Sequence, residues 1–333
     1  MDKIKGMLTL TIITQKATSL NYGENIGNVS ILKKLSLGDN SQITYVSDKA
    51  LKYDIRRKGK EEKGWRLLDE EVKELVKGSL KNKKLDVDDF GRLLLLTYEE
   101  FDLFGGLLTN LKGVDSKKVE LSYGDSVKRT APIKLTYAFS ISKFQGDMDF
   151  MNNIDAYNRY IKYIEQKEKQ VITQSEQHTA HYYYTVAIDL DRIGVWETEN
   201  GTEEVIPPEE KAKRVKDLLD IIRTLSRQIR GRYENLSPIF VIGGIYKIKN
   251  PFFLGSIFAK ETEDGKLLLD VARILDCKAI IPEEERDKTI CGLLSGYFAN
   301  EDEIREKLNC KSVGEVFEEL KKKVEEIYGV SKG

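Results

Sequence analysis

A chain of 333 residues with 40% hydrophobic side chains is long enough for one elaborated domain or two modest ones with a real core. Its 54 basic and 55 acidic side chains nearly cancel, so any polyanion site has to be local. No stretch approaches the ~20 apolar residues of a membrane span, and no leader pattern opens the sequence, so a soluble cytoplasmic protein is expected. Cys277, Cys291 and Cys310 form no CxxC pair, and neither a zinc site nor a disulfide framework is expected. Heavy Lys and Glu usage hints at a heat-adapted source.

The charge is uneven. Residues 1 to 60 hold eleven Lys or Arg against five Asp or Glu, a local excess of six. The first element there is "GMLTLTIITQ", whose alternation puts Leu8, Leu10 and Ile12 on one side and Thr9, Thr11 and Ile13 on the other. That is the pattern of a half-buried strand. The next segment, "KATSLNYGENIGNVSILKK", is dense in Asn, Gly, Ser and Thr and reads as a loop able to present backbone N–H groups. In "VSDKALKYDIRRKGK", Ser47 and Asp48 suit a helix N-cap, and Leu51 and Ile55 form an apolar stripe. Lys49, Lys52, Arg56 and Lys60 share another face, and Gly59 can end the helix.

Residues 61–130 read as an insertion, with a helix expected at 67–80, a turn or close approach at Gly105–Gly106, and a short strand at 118–124. A strand follows at 131–142. A second insertion, 144–180, holds a helix expected at 154–170. "HYYYTVAIDLDRIGVW" is the clearest strand, with Tyr184, Val186, Ile188 and Leu190 alternating with Tyr183, Thr185, Ala187 and Asp189. The helix expected over 207–231 opens with Pro and Glu and closes with Arg and Gly. "SPIFVIGGIYKIK" is a strand, and the tail from about 262 is mostly helical. Without the insertions the order is β, α, β, β, α, β. The expected fold class is α+β, with a ferredoxin-like or RNA-recognition-motif-like palm and a helical extension over 261–333.

Motifs of nucleotide-dependent enzymes and of serine hydrolases do not occur. His178 and His181 are the only histidines, and their HxxH spacing has no third or fourth ligand beside it. A surface or interface role is expected for them, with acid–base catalysis as the alternative. The Gly243–Gly244 pair marks a bulge or a place where another backbone, protein or nucleic acid, comes close. The basic helix is a solvated face or a grip on phosphates. "SVKRTAPIKL" brings Lys128 and Arg129 to the start of a palm strand, on the side a phosphate track would use.

"SLNYGENIGNVSILKK", "YVSDKALKYDIRR", "FDLFGGL", "KRTAPIKLTYAFS" and "HTAHYYYTVAIDLDRIG" together resemble the DevR-type branch of the seventh Cas protein family. These are repeat-associated (RAMP) proteins of type I CRISPR systems, and the similarity runs from about residue 7 to residue 260. The resemblance implies a backbone subunit of the Cascade surveillance complex. Copies would stack head to tail along one CRISPR guide RNA, beside other Cascade subunits, and meet target DNA through the guide. It also implies a palm over 1–260 carrying fingers (61–130) and a thumb (144–180).

A protein that holds any guide must contact phosphate and sugar rather than base edges. The residues matching that need are Lys16, Thr18, Ser19, Asn21, Asn25 and Asn28 after the first strand, and Lys49, Lys52, Arg56 and Arg57 on the basic helix. Lys128, Arg129, Gly243 and Gly244 complete the set. Type III relatives cut RNA with a loop aspartate. Here the only acid in that loop is Glu24, so no nuclease activity, metal or cofactor is expected. The alternatives are a RAMP ribonuclease using His178 or His181, and a gene-regulatory protein.

Overall fold

The computed structural model describes residues 4–68, 86–109, 126–151, 154–164, 173–198 and 201–330. The helix expected at 67–80 and the strand expected at 118–124 fall almost wholly outside them, as does the end of the helix expected at 154–170.

The structure is a mixed α and β fold built on one large sheet. Its central strand, β1 (Met7–Thr18), pairs antiparallel on both sides. Six elements form the frame. They are β1, α1 (Asp48–Lys63), β2 (broken into Ile133–Leu135 and Ala138–Ser140), β3 (Thr179–Asp189), α2 (Pro208–Arg223) and β4 (Pro238–Tyr246). Across the sheet these strands lie in the order β4, β1, β3, β2. Leu10 faces Val186 of β3 and Gly243 of β4. The odd-even alternation is realised. Leu8, Leu10 and Ile12 join Tyr184, Val186 and Ile188 in one core with Leu51 and Ile55 of α1 and Val215, Leu218 and Ile222 of α2.

The strand is not half-buried, however. Met7 through Thr14 are all buried, because the C-terminal extension covers the second face. Ile13, Phe240 and Ile242 there meet Phe253, Ile274, Phe298 and Ile304. The extension is mostly helical, as expected, with short strands between its helices. Its strand β5 (Ile290–Leu293) adds to the sheet beside β4, and only α3 (Val313–Tyr328) is a long helix, packed against α2. Cys291 on β5 is disulfide-bonded to Cys310, which corrects the expectation of unbonded cysteines. The turn before Lys311–Ser312, a strand paired with β5, returns Cys310 to Cys291 across 19 residues of sequence. Such bonds persist inside the cells of hyperthermophiles.

Two helix ends depart from expectation. α1 runs through Gly59 and stops at Gly64, whose φ of 70° supplies the left-handed C-cap. Gly59 serves packing instead, since a Cβ there would lie 2.1 Å from the Trp65 ring. α2 begins at Pro208 as expected but ends at Arg223, and the polypeptide turns back as a hairpin of Ser226–Ile229 and Arg232–Asn235. The Gly105–Gly106 turn is present, with Gly105 at φ 66° against the Arg129 carbonyl.

The loop expected after β1 is a hairpin, Tyr22–Ile26 and Val29–Leu32. It shares a four-stranded sheet with Asp147–Met151 and Thr173–Gln177 from the second insertion.

The Gly243–Gly244 pair has a structural cause. A Cβ at Gly243 would sit 1.9 Å from the Thr9 carbonyl oxygen, and one at Gly244 would sit 2.4 Å from that of Lys288. The close neighbour is the protein's own backbone, which cannot yield without breaking the sheet. Gly243→Ala is therefore expected to cost at least about 1–3 kcal/mol, read as a lower urea midpoint. An unchanged midpoint would refute this packing.

Candidate nucleic-acid interface

Three pieces of chain meet beyond the C-terminal end of β1. The first is the Thr18–Asn28 segment. Ser19 takes φ 52°, and its N–H donates to the His178 carbonyl at 2.8 Å. Its hydroxyl donates to Gln177 Oε1 at 2.7 Å. Asn21 Nδ2 donates to Ser47 Oγ, the cap of α1, at 3.3 Å. Asn25 accepts from Ser30 Oγ at 2.8 Å, and the Asn28 carbonyl accepts from Gln174 N–H at 3.0 Å. Asn25 and Asn28 are nonetheless exposed around the hairpin turn. Lys16 is exposed and ion-paired with Glu261.

The second piece is α1. Its positive side is largely neutralised, in part by i,i+4 partners on the helix itself and in part by a carboxylate brought in by the fold. Lys52 pairs with Asp48 at 3.1 Å and Arg56 with Glu100 at 2.6 Å. Arg57 pairs with Glu61 at 2.7 Å and donates to the Ser226 carbonyl at 3.2 Å. Lys49 is exposed and, among the described residues, has no ion-pair partner. Tyr53, one turn on, is 60% exposed.

The third piece is the 226–235 hairpin, which sequence reading missed. It clamps the first two together. Arg227 donates to the Leu20 carbonyl at 2.6 Å and the Ala50 carbonyl at 3.3 Å, and pairs with buried Asp54. Arg232 donates to the Thr18 carbonyl at 3.3 Å, and Glu234 accepts from Thr18 N–H at 2.9 Å. Its two-residue turn, Arg230–Gly231, has φ of 48° and 74°. Both values are positive, as the tight hairpin turn requires. Exposed Arg230 lies 3.8 Å from the Tyr22 ring centre, and Tyr233 is 75% exposed. The three bonded pieces thus expose Lys49 and Tyr53 on α1, Arg230 and Tyr233 on this hairpin, and Asn25 and Asn28 on the first. The available signal was the alternation in "SRQIRGRYEN" around an Arg-Gly turn.

The remaining candidates lie elsewhere. Lys128 is exposed on the strand Ser126–Arg129. Arg129, beside it, is buried and fully engaged with Asp102 and with the carbonyls of Asp102, Arg192 and Val195. Gly243 and Gly244 are buried in β4. Gly243 and Gly244 offer no surface to a ligand, and Arg129 only borders a small cleft beside Lys128 and Arg192.

The histidines are buried rather than at the surface, which corrects that expectation. His178 Nδ1 hydrogen-bonds Thr44 Oγ1 at 2.7 Å, and His181 Nδ1 donates to the Thr14 carbonyl at 2.9 Å. Among the described residues no group of His, Cys, Asp and Glu is placed to hold a metal ion. Burial pushes both imidazoles below the ordinary His value. The unfolded chain titrates near ~6.5. Above that value both states are neutral and the histidines add no pH dependence. As the pH falls through it, the unfolded chain takes up protons that the folded chain resists, so stability falls. The melting temperature should drop between about pH 7.5 and about 5.5, and less so in His178→Gln/His181→Gln. Identical slopes in the two proteins would contradict this.

The family profile described as "CRISPR-associated negative auto-regulator DevR/Csa2" matches residues 9–261. The chain belongs to the DevR/Csa2 family. The matched span of this DevR/Csa2 chain contains all three interface pieces, and α3 lies outside it. A chain of a solved "CRISPR RNA-guided surveillance complex, pre-nicking" has the same fold, with a TM-score of 0.58 and 12% identity, covering 96% of this chain and 100% of that one. A chain of a "CRISPR RNA-guided surveillance complex" matches with a TM-score of 0.47 and 14% identity, over 86% of this chain and 87% of that one. No curated protein sequence matches the chain. Among the described residues no helix is long and apolar enough to cross a membrane.

Proposed function

We propose that this DevR/Csa2 protein is a guide-RNA-binding backbone subunit of a type I CRISPR surveillance complex in the cytoplasm. The six-element frame is its ferredoxin-like palm, the β4-β1-β3-β2 order being that of a split βαβ fold. The 61–130 and 144–180 insertions serve as fingers and thumb, and copies stack head to tail along the RNA.

The observation that carries this reading is that α1, the Tyr22–Leu32 hairpin and the 226–235 hairpin, bonded together, expose Lys49, Arg230, Tyr53 and Tyr233, with Arg230 over the Tyr22 ring. Cations beside aromatic rings hold phosphates and stack bases whatever the sequence. That suits a protein that accepts any spacer. The ribonuclease alternative has less support, because both imidazoles are buried and hydrogen-bonded inside the fold. Glu24, the acid of the post-strand segment, stands exposed on a hairpin. The regulatory description of the family is taken as a downstream consequence of this role.

The test uses two unrelated guide-length RNAs, each with a labelled complementary RNA and magnesium. Equal affinity for both and intact complement are expected. Strong preference for one sequence, or cleavage at spaced positions, would overturn the reading.

A further inference from the structure

The two ends of β1 are built differently. Just before it, a cleft of ≈ 390 Å³ has Ile4, Ile245 and Ile327 among its lining. Four lysines, Lys5, Lys247, Lys288 and Lys323, also line it, against the single acid Glu326. Lys247 is exposed and, among the described residues, its ammonium has no partner. Lys288 and Lys323 hold only local pairs, to Glu285 and Glu319, which exchange readily for a better-placed carboxylate.

Beyond the other end lies the strand Asp147–Met151, the outermost of the four-stranded sheet and paired on one side only. Asp147, Met148, Asp149 and Phe150 are all exposed. Phe150 is 66% exposed and Met148 41%. Alternation puts these two apolar side chains on one face of the strand and the two aspartates on the other. Natural edge strands are normally blunted by lysine, proline or a bulge, and this one has none of them. An acidic, apolar edge thus stands at one end of β1 and a basic, apolar cleft at the other, roughly 36 Å apart along the strand.

We infer that the strand Asp147–Met151 of one copy docks in the lysine-lined cleft of the next. Met148 and Phe150 reach the isoleucines, and Asp147 and Asp149 face the lysines. The inference rests on the head-to-tail reading above. Two different, complementary patches at opposite ends make a heterologous contact, which repeats instead of closing as a dimer.

The experiment uses the full chain with a guide-length single-stranded RNA, following assembly size by analytical ultracentrifugation and RNA binding by anisotropy on the same samples. Circular dichroism confirms folding of each variant. Asp147→Lys/Asp149→Lys and Lys247→Glu/Lys323→Glu should each weaken copy–copy association roughly 100-fold, through like-charge contact. Mixed one to one, the two variants should form long alternating stacks, because each intact surface meets its intact counterpart and each reversed surface its reversed one. All four changes in one chain should restore long stacks.

Stacks of normal length in either pair of substitutions would overturn the inference, and the cleft would then serve another subunit. A parent chain that binds RNA but stays monomeric would overturn it as well, leaving the RNA-binding reading intact. A parent chain that neither binds RNA nor assembles would sink both.

Discussion

Asp102→Asn is expected to cost about 3–5 kcal/mol of folding stability, enough to leave little soluble protein. Asp102 is fully buried between two buried arginines. Its Oδ1 accepts from Arg129 Nη2 at 2.6 Å and from Gly194 N–H at 2.9 Å, and its Oδ2 accepts from Arg214 Nη1 at 3.0 Å. Asparagine keeps the shape but removes the charge. Two guanidinium groups then face each other with their shared counter-charge gone, and an amide N–H₂ points at one of them. Glu210, 3.1 Å from Arg214 but one-third exposed, and buried Glu99, 3.9 Å from it, remain and compensate in part, while Arg129 loses its carboxylate.

The cluster ties the strand Ser126–Arg129 and the helix Glu99–Phe104 to α2, so its loss should loosen those two elements from α2. Urea unfolding reads the change directly. A shift worth under about 1 kcal/mol would mean that the pairs contribute little. The same logic separates two roles for Arg129. Arg129→Gln should lower stability while RNA affinity per folded molecule stays unchanged. Weaker RNA binding at full stability would restore Arg129 to the interface.

The second large effect concerns RNA. Lys49→Ala/Arg230→Ala should weaken binding to unrelated single-stranded RNAs by a similar factor, roughly tenfold near physiological salt. The plot of log affinity against log salt should flatten by about 1.4, at ~0.7 for each lost single-strand phosphate contact. Lys52→Ala/Arg56→Ala should do less, because Asp48 and Glu100 already hold those charges. Equal loss in the two pairs would mean that RNA displaces the carboxylates and that the whole basic face is the grip. No loss in either would make that face a packing surface.

Much of the frame is legible in the sequence, because its main strands carry local patterns of their own. β1 and β3 alternate, and β4 is an unbroken apolar run that ends up buried throughout. The start of α2 is legible for another local reason, its Pro208 and acidic first turn. Its end is not. Ile222, Leu225 and Ile229 continue a helical spacing that outweighs the Arg-Gly turn signal, and the pairing of Arg227 with Glu234 reveals the hairpin.

The same limit governs the site. Clustering of cations on α1 is visible in "DIRRKGK", and Glu61 and Glu62 stand at i+4 from Arg57 and Lys58, but the pairing of Arg56 depends on Glu100, which the fold brings from 44 residues away. Arg129 looks like a free cation beside Lys128 because nothing local says that its side chain points inward. The histidines look exposed because their polar neighbours Thr14 and Thr44 sit on other strands. Arg230, which sequence reading did not single out, earns its place only through a turn that the helical spacing concealed.

The proposed role of this protein is to hold guide RNA as a repeating scaffold. The most direct test is the nucleic acid it carries through purification after co-expression with a CRISPR array and its processing enzyme. Extracted RNA of guide size, carrying repeat and spacer and eluting with large assemblies, is the predicted result. A folded monomer free of RNA under those conditions would contradict it.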